Sequence, residues 1–331
     1  MSIRDWRQFA DDQVLSWLLE PTYPSIRYWT LLYLLDTPAD DRQLSSAREA
    51  IPQYGPAAEI LALQRPDGSW LAEEDAYKPM YKSTVWQLIF LSELGADGRD
   101  ERIERGVDHV LATMQRADGS FPATWRAYYG NLMYCHSLVT RALLRLGYAQ
   151  DERVRQAVEF LVHWVDGGDF ICRYNQGYPC SWAVVEAILA LTQIPPALRS
   201  AAAKAAIHEC GEFLANGDLA HGNYPTATEV SDHWFRFSFP RGYNTDILEA
   251  MLGLDAASYV GDERLLPAVD FIISERRLLK RVRQEPTYAW KSQHAITGRL
   301  LVDLDWRCRG GPSKWTTLLA LRVVKDWYPQ S

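Results

Sequence analysis

Gln64-Arg65-Pro66-Asp67-Gly68-Ser69-Trp70 returns about fifty residues later as Gln115-Arg116-Ala117-Asp118-Gly119-Ser120-Phe121. Both stretches read Gln-x-x-Asp-Gly-Ser-aromatic. Each follows an apolar helical run, Ile60-Leu61-Ala62-Leu63 in the first case and Val110-Leu111-Ala112-Thr113-Met114 in the second. A worn third copy closes at Trp164-Val165-Asp166-Gly167-Gly168-Asp169-Phe170. Self-similarity at a fixed period implies one supersecondary unit stacked on itself, so the repeat decides the fold before any single residue does.

Outward from the repeat, nearly every regular segment reads as helix. Leucine-like positions recur at Leu61, Leu111, Leu161, Leu214 and Ile272. One set of segments is charged on one face and apolar on the other, as surface helices are: Trp6–Leu19, Ala47–Gln64, Glu101–Gln115, Asp151–Val165, Arg199–Ala215 and Asp262–Glu275. A second set is more apolar around its circumference, which predicts enclosure by other helices: Ile26–Leu35, Lys82–Leu94, Tyr134–Leu146, Ser181–Gln193, Asn244–Tyr259 and Lys314–Trp327. The sets alternate strictly, and the long loops always follow the outer helix. The inner helices often end in a Leu-Gly step, Leu94-Gly95 and Leu146-Gly147, where glycine suits a left-handed C-terminal position. An open stack of such hairpins needs polar caps at its ends. The last inner helix is instead apolar and aromatic along most of its length, and closure onto the first hairpin would cover it. The expectation is an all-α fold, an α/α toroid of six hairpins over residues 1–331 as one domain, with a central cavity opening among the long loops.

Composition narrows the function classes. Hydrophobic residues make up 47% and charged residues 23%, as in a globular protein. No apolar run reaches the ~20 residues of a membrane-spanning helix, and Met1 to Ala10 carries Arg4, Asp5 and Arg7 with no apolar core, unlike a signal peptide. A net charge of −7 excludes the basic footprint of a nucleic-acid binder. Five cysteines without a disulfide-like spacing point to a reducing, cytoplasmic setting. Thirteen tryptophans beside 17 tyrosines exceed what a simple core needs, so repeat packing and an apolar cavity walled by aromatic faces are both expected.

Gln64-x-x-x-Gly68-x-Trp70 and Gln115-x-x-x-Gly119-x-Phe121 resemble the repeated glutamine–tryptophan motif of squalene and hopene cyclases, whose toroid is shared by the protein prenyltransferases. The resemblance implies that the glutamine ties the end of an outer helix to the next repeat while the aromatic stacks on its neighbour. It also implies a hydrophobic, isoprenoid-type substrate. The acidic Asp-x-Asp-Asp motif of those cyclases does not occur here. At the Asp-x-Cys of the zinc prenyltransferases, Asp246 is kept but Leu248 stands where the cysteine would be.

Several constellations near the inner-helix starts carry chemistry. Asp246 follows the aromatic run Trp234-Phe235-Arg236-Phe237-Ser238-Phe239. Enclosed by apolar groups it would hold a proton for an alkene or epoxide; in a first helical turn it would simply complement the dipole. Asp303 and Asp305 alternate along one side of an extended segment, which would suit an acid or a magnesium–diphosphate site, or merely a solvated pair beside Arg307 and Arg309. Cys135-His136 and Cys180 begin adjacent inner helices and make a zinc site conceivable, although small core residues are the commoner use of buried cysteine. The lanthionine cyclases, another toroid family, use a Cys-His pair in a similar position. The basic run from Arg276 to Arg283 suits a diphosphate, a sulfate or an anionic membrane surface. The set Tyr77, Tyr81, Trp86, Trp125, Tyr129, Trp182, Trp234, Phe239, Tyr243, Trp290 and Trp315, with Arg236, is the expected substrate wall, since aromatic faces stabilise cations. The functional expectation is therefore an isoprenoid-handling enzyme, like a class II terpene cyclase, that protonates a polyene. Its rivals are a non-catalytic isoprenoid- or lipid-binding ring and a zinc- or carboxylate-dependent toroid acting on a peptide or sugar.

Overall fold

Short polar caps start most of the outer helices. Asp11, Asp41, Asp100 and Asp151 each accept a backbone N–H two or three residues ahead, as does Ser200, satisfying donors that a helix start leaves open. In the computed structural model, which describes residues 5–72, 78–122, 132–172, 175, 177–222, 231–240, 242, 244–278, 288–293, 300–305 and 312–329, these caps open α1 (Asp12–Leu18), α3 (Arg42–Ala50), α6 (Glu101–Thr113), α8 (Glu152–Asp166) and α10 (Ala201–Ala215). The outer layer is completed by α4 (Pro56–Ala62) and α12 (Leu266–Ser274). The inner layer is α2 (Pro24–Tyr33), α5 (Thr84–Glu93), α7 (Met133–Arg145), α9 (Ser181–Leu191), α11 (Ile247–Ala256) and α13 (Lys314–Trp327).

Burial separates the layers as the periodicity predicts. In α6 the buried residues are Ile103, Gly106, Val107, Val110 and Leu111, one stripe of the helix. Every residue of α5 is buried, and so is every residue of α9 except Trp182. Helical segments this enclosed on all sides owe their stability to packing rather than to propensity.

The inner helices form a closed ring. Helix α7 packs on α5 and α9, and α11 packs on α9 and α13. Trp29 Nε1–H in α2 donates to Glu93 O at the end of α5 (2.9 Å). The seam lies where α13 meets the first hairpin. There Trp6 N–H donates to Tyr328 O (2.9 Å), Lys325 donates to Tyr33 O (2.9 Å), and Lys314 bonds Trp17 O and Glu20. The protein is an all-α toroid, and the only paired strands among the described residues are Arg277–Leu278 with Tyr288–Ala289.

Two expected helices differ. Ala47–Gln64 is broken into α3 and α4, because Pro52 brings no N–H, Gly55 turns at φ +74° and Pro56 begins a new first turn. Trp6–Leu19 is a 3-10 turn over Trp6–Gln8 followed by α1. The described residues accordingly hold thirteen α-helices rather than twelve.

Candidate functional site

The repeated motif is scaffold. Gln64 Nε2 donates to Gly68 O (3.0 Å) within its own turn and to Arg102 O (2.6 Å) at the start of the next outer helix. Gln115 repeats both bonds, to Gly119 O (3.1 Å) and Arg153 O (2.7 Å). The turn is pressed against the neighbouring helix. A Cβ at Gly68 would meet Arg105 O at 2.4 Å, and one at Gly119 would meet Gln156 O at 2.6 Å. Asp67 and Asp118 each accept from the backbone and hydroxyl of the following serine, closing the turn.

Three tryptophans repeat a second device. The indole N–H of Trp70 donates to Ile60 O (2.7 Å), that of Trp234 to Leu219 O (2.9 Å), and that of Trp290 to Ile272 O (2.6 Å). In each case the acceptor lies at or just past the outer helix of the same repeat. Trp234 and Trp290 are fully buried, as is Trp86, which packs edge-on to Tyr81 (4.7 Å). Trp234 and Trp290, both members of the expected substrate wall, have their indoles bound to the scaffold, because a buried indole must find an acceptor; Trp86 and Tyr81 are buried against each other.

The backbone N–H of the motif aromatic is likewise taken up by the next inner helix. Trp70 N–H donates to Thr84 Oγ1 (2.9 Å), and Trp290 N–H to Thr317 Oγ1 (3.1 Å). In the third repeat Phe121 N–H donates to His136 Nδ1 (3.2 Å), while His136 Nε2 lies 2.9 Å from Ala157 O. Both ring nitrogens are therefore used by backbone, and the zinc reading of His136 is corrected. Burial lowers its pKa to about 4, although the bond to Ala157 works the other way. Cys135 is a core residue. Cys180 meets Cys172; the contact raises the Cys180 thiol above its ordinary value, and burial adds to this. Among the described residues no three His, Cys, Asp or Glu side chains converge as a metal site.

The ring encloses an axial cleft lined from all six inner helices. Its apolar wall is Leu189, Leu252, Leu318 and Leu319. Phe239 and Trp315, stacked face to face with centroids 4.1 Å apart, line it on the long-loop side; both are buried. At the opposite end Tyr33, Arg145, Gln193 and Arg322 are partly exposed. The cavity volume of the cleft is about 40 Å³. It is a narrow slot, and of the expected aromatic wall only Phe239 and Trp315 line it among the described residues. Among the described residues, the partly exposed ones that line it lie at the short-turn end.

One side of the cleft is a buried charge cluster that the sequence reading missed. Arg141 in α7 lies 2.8 Å from Glu93 in α5, 3.2 Å from Glu186 in α9 and 3.9 Å from Glu249 in α11. Arg145 shares the same Glu93 oxygen at 3.1 Å. Burial opposes the Arg141 cation, yet the three carboxylates outweigh it and raise its pKa. The signal was present: Glu186 and Glu249 each stand inside an apolar run, Val185-Glu186-Ala187 and Leu248-Glu249-Ala250.

The candidate acids differ in their settings. Asp246 is buried and caps α11, its Oδ1 accepting Glu249 N–H (2.9 Å). Arg236 pairs with Asp232 (3.1 Å). Asp303 is exposed between buried Val302 and Leu304. Asp305 is half-buried and lines a smaller cavity with Tyr23, Leu304, Lys314 and Trp315. Trp182 is half-buried against the core. Arg276, the start of the basic run, lies over the Phe9 and Tyr288 rings across the seam and donates to Gln8 O. Tyr77, Trp125, Tyr129, Tyr243, Arg307, Arg309 and the basic run from 279 to 283 lie outside the described residues. No helix among the described residues is long and apolar enough to cross a membrane.

No family model matches the chain, and no curated protein does. Among solved structures the chain is similar to a single-residue variant of the type II terpene cyclase MstE from Scytonema, in complex with its product merosterolic acid A, at 14% identity and a TM-score of 0.45, covering 96% of this chain and 99% of that one. It is also similar to the same cyclase without ligand, at 14% identity and a TM-score of 0.40, covering 93% of this chain and 87% of that one.

Proposed function

We propose that the chain handles an isoprenoid-type small molecule in its axial cleft, and that Asp246 is the acid of a proton-initiated, class II-like cyclisation. The observation that carries this reading is the placement of Asp246. It is a buried carboxyl at the long-loop start of α11, a few residues after Phe239, whose ring faces the cleft with Trp315. Of the two arginines close in sequence, Arg236 is held by Asp232, and Arg241 lies outside the described residues. Burial is what the chemistry asks of the acid, because water would level its acidity and quench the cation it makes. The proton added to one end of the polyene leaves as another proton from the last cation, so the product is an isomer of the substrate.

A second reading, a ring that binds an isoprenoid or lipid without turning it over, draws support from the cap bond. Asp246 Oδ1 already serves the start of α11, and the cleft is narrow. The variant Asp246→Asn separates the two. Asparagine keeps the shape and an acceptor for Glu249 N–H but has no acidic proton. With a linear polyprenoid as probe, the variant should bind as the parent does and form no cyclised product by gas chromatography–mass spectrometry. Equal product from parent and variant would remove Asp246 as the acid. Binding without product in the parent would establish the second reading.

A further inference from the structure

The short-turn end of the cleft carries a recognition element that an apolar hydrocarbon would not use. Arg322 stands in α13 with its guanidinium 3.9 Å from the centre of the Tyr33 ring. Tyr33 stacks on Trp29 at 5.0 Å with the planes 4° apart, and Arg145 lies over the other partner, Trp29, at 5.2 Å. The result is a ladder of two guanidiniums and two rings, in which stacking orients the guanidinium planes and leaves their N–H edges for hydrogen bonding. The two cations differ in what else they touch. Arg145 is tied to Glu93 (3.1 Å), whereas Arg322 forms no ion pair among the described residues. Gln193 adds an amide to the same end of the cleft.

Two carboxyls, Asp255 and Asp326, act on Arg322 through space, and Glu93 lines the same cleft. Asp255 is the nearer to neutral: burial pushes its carboxyl up to about 8, against the opposing bond from Trp327 Nε1–H (2.8 Å). Burial raises Asp326 as well, against the pull of Arg322 and Lys325. Asp36 is paired with Lys325 at 2.6 Å.

We propose that the short-turn end of the axial cleft binds the oxyanion head, a carboxylate or phosphate, of an amphiphile whose apolar chain runs toward the Leu252, Leu318 and Trp315 wall, with Arg322 as the principal contact and Arg145 and Gln193 beside it. The proposal rests on the reading that the cleft takes an apolar small molecule, and it narrows the substrate class to chains that carry an anionic end.

Isothermal titration with octanoate, octyl phosphate and octanol tests it. The two anions should bind the parent at least tenfold more tightly than octanol, and the tighter of the two identifies the head group. Arg322→Gln should erase that preference while octanol binds as before, and Arg322→Lys should keep part of it. In the parent, inorganic phosphate should compete with octanoate and not with octanol, an arm that needs no variant to fold. Octanol binding as tightly as the anions, or phosphate failing to compete, overturns the oxyanion site and leaves the apolar reading standing. Failure of all three chains to bind overturns both.

Discussion

At residue 136 an imidazole stands where the second and sixth repeats place a threonine. Thr84 and Thr317 accept the N–H of Trp70 and Trp290, and His136 accepts that of Phe121 while its other nitrogen serves Ala157 O. Cys135-His136 at the start of an inner helix looked like a ligand pair because the chain shows residue type and position but not the backbone that a side chain meets. The consequence is a pH dependence whose sign follows from the depressed pKa. His136 titrates at about 4 in the fold and at about 6.5 when unfolded. Between these values the unfolded chain binds more protons, so its contribution to stability is complete above about pH 6.5 and is lost as pH falls toward 4. At about 1.4 kcal/mol per unit the loss approaches ~3 kcal/mol. His136→Gln can keep both bonds without titrating. Denaturant melts at pH 7 and pH 4 should show the variant gaining on the parent by about that amount as the pH is lowered. An unchanged difference would mean that the ring is solvated in the native state.

At the scale of the element, the same tie between loop and outer helix was legible in some repeats and hidden in others. Gln64 to Trp70 and Gln115 to Phe121 declare themselves because their loops have equal length and the same turn residues. The tryptophan device continues beyond them, but the donor follows its acceptor by 10 residues at Trp70, 15 at Trp234 and 18 at Trp290. Unequal loops erase the period while the indole still finds the carbonyl. Trp234 and Trp290 were therefore expected in a ligand wall, whereas their indoles are bound to the scaffold. Trp290→Phe keeps most of the ring volume and leaves Ile272 O buried without its donor, which costs ~1–3 kcal/mol. Trp70→Ala removes packing as well and should cost ~3–5 kcal/mol. Thermal melts of both variants, alongside binding of octanoate, check the assignment. A loss of binding at unchanged melting temperature would place that residue in the site.

For the whole molecule, alternation of apolar and amphipathic helices was enough to predict a ring, since six enclosed helices have to cover one another. The contents of the ring were not legible, because they depend on which charged residue of each inner helix turns inward and at what height. Glu93, Arg141, Glu186 and Glu249 together tie α5, α7, α9 and α11 across the axis. A buried cluster of this kind is expensive to break and adds little when whole. Three carboxylates left around an empty centre have lost the cation that offsets their desolvation, so Arg141→Met should destabilise the ring by ~3–5 kcal/mol. Methionine is similar in length, so the loss would reflect charge rather than volume. If that is the mechanism, Arg141→Met with Glu186→Met and Glu249→Met should recover most of the loss, since Glu93 keeps Arg145 at 3.1 Å and apolar replacements of a complete ion cluster are often neutral or stabilising. Equilibrium unfolding in urea of the single and triple variants decides it. A triple variant as unstable as the single one would show that the cluster holds the four helices by packing and shape, with its charges incidental to the closure of the ring.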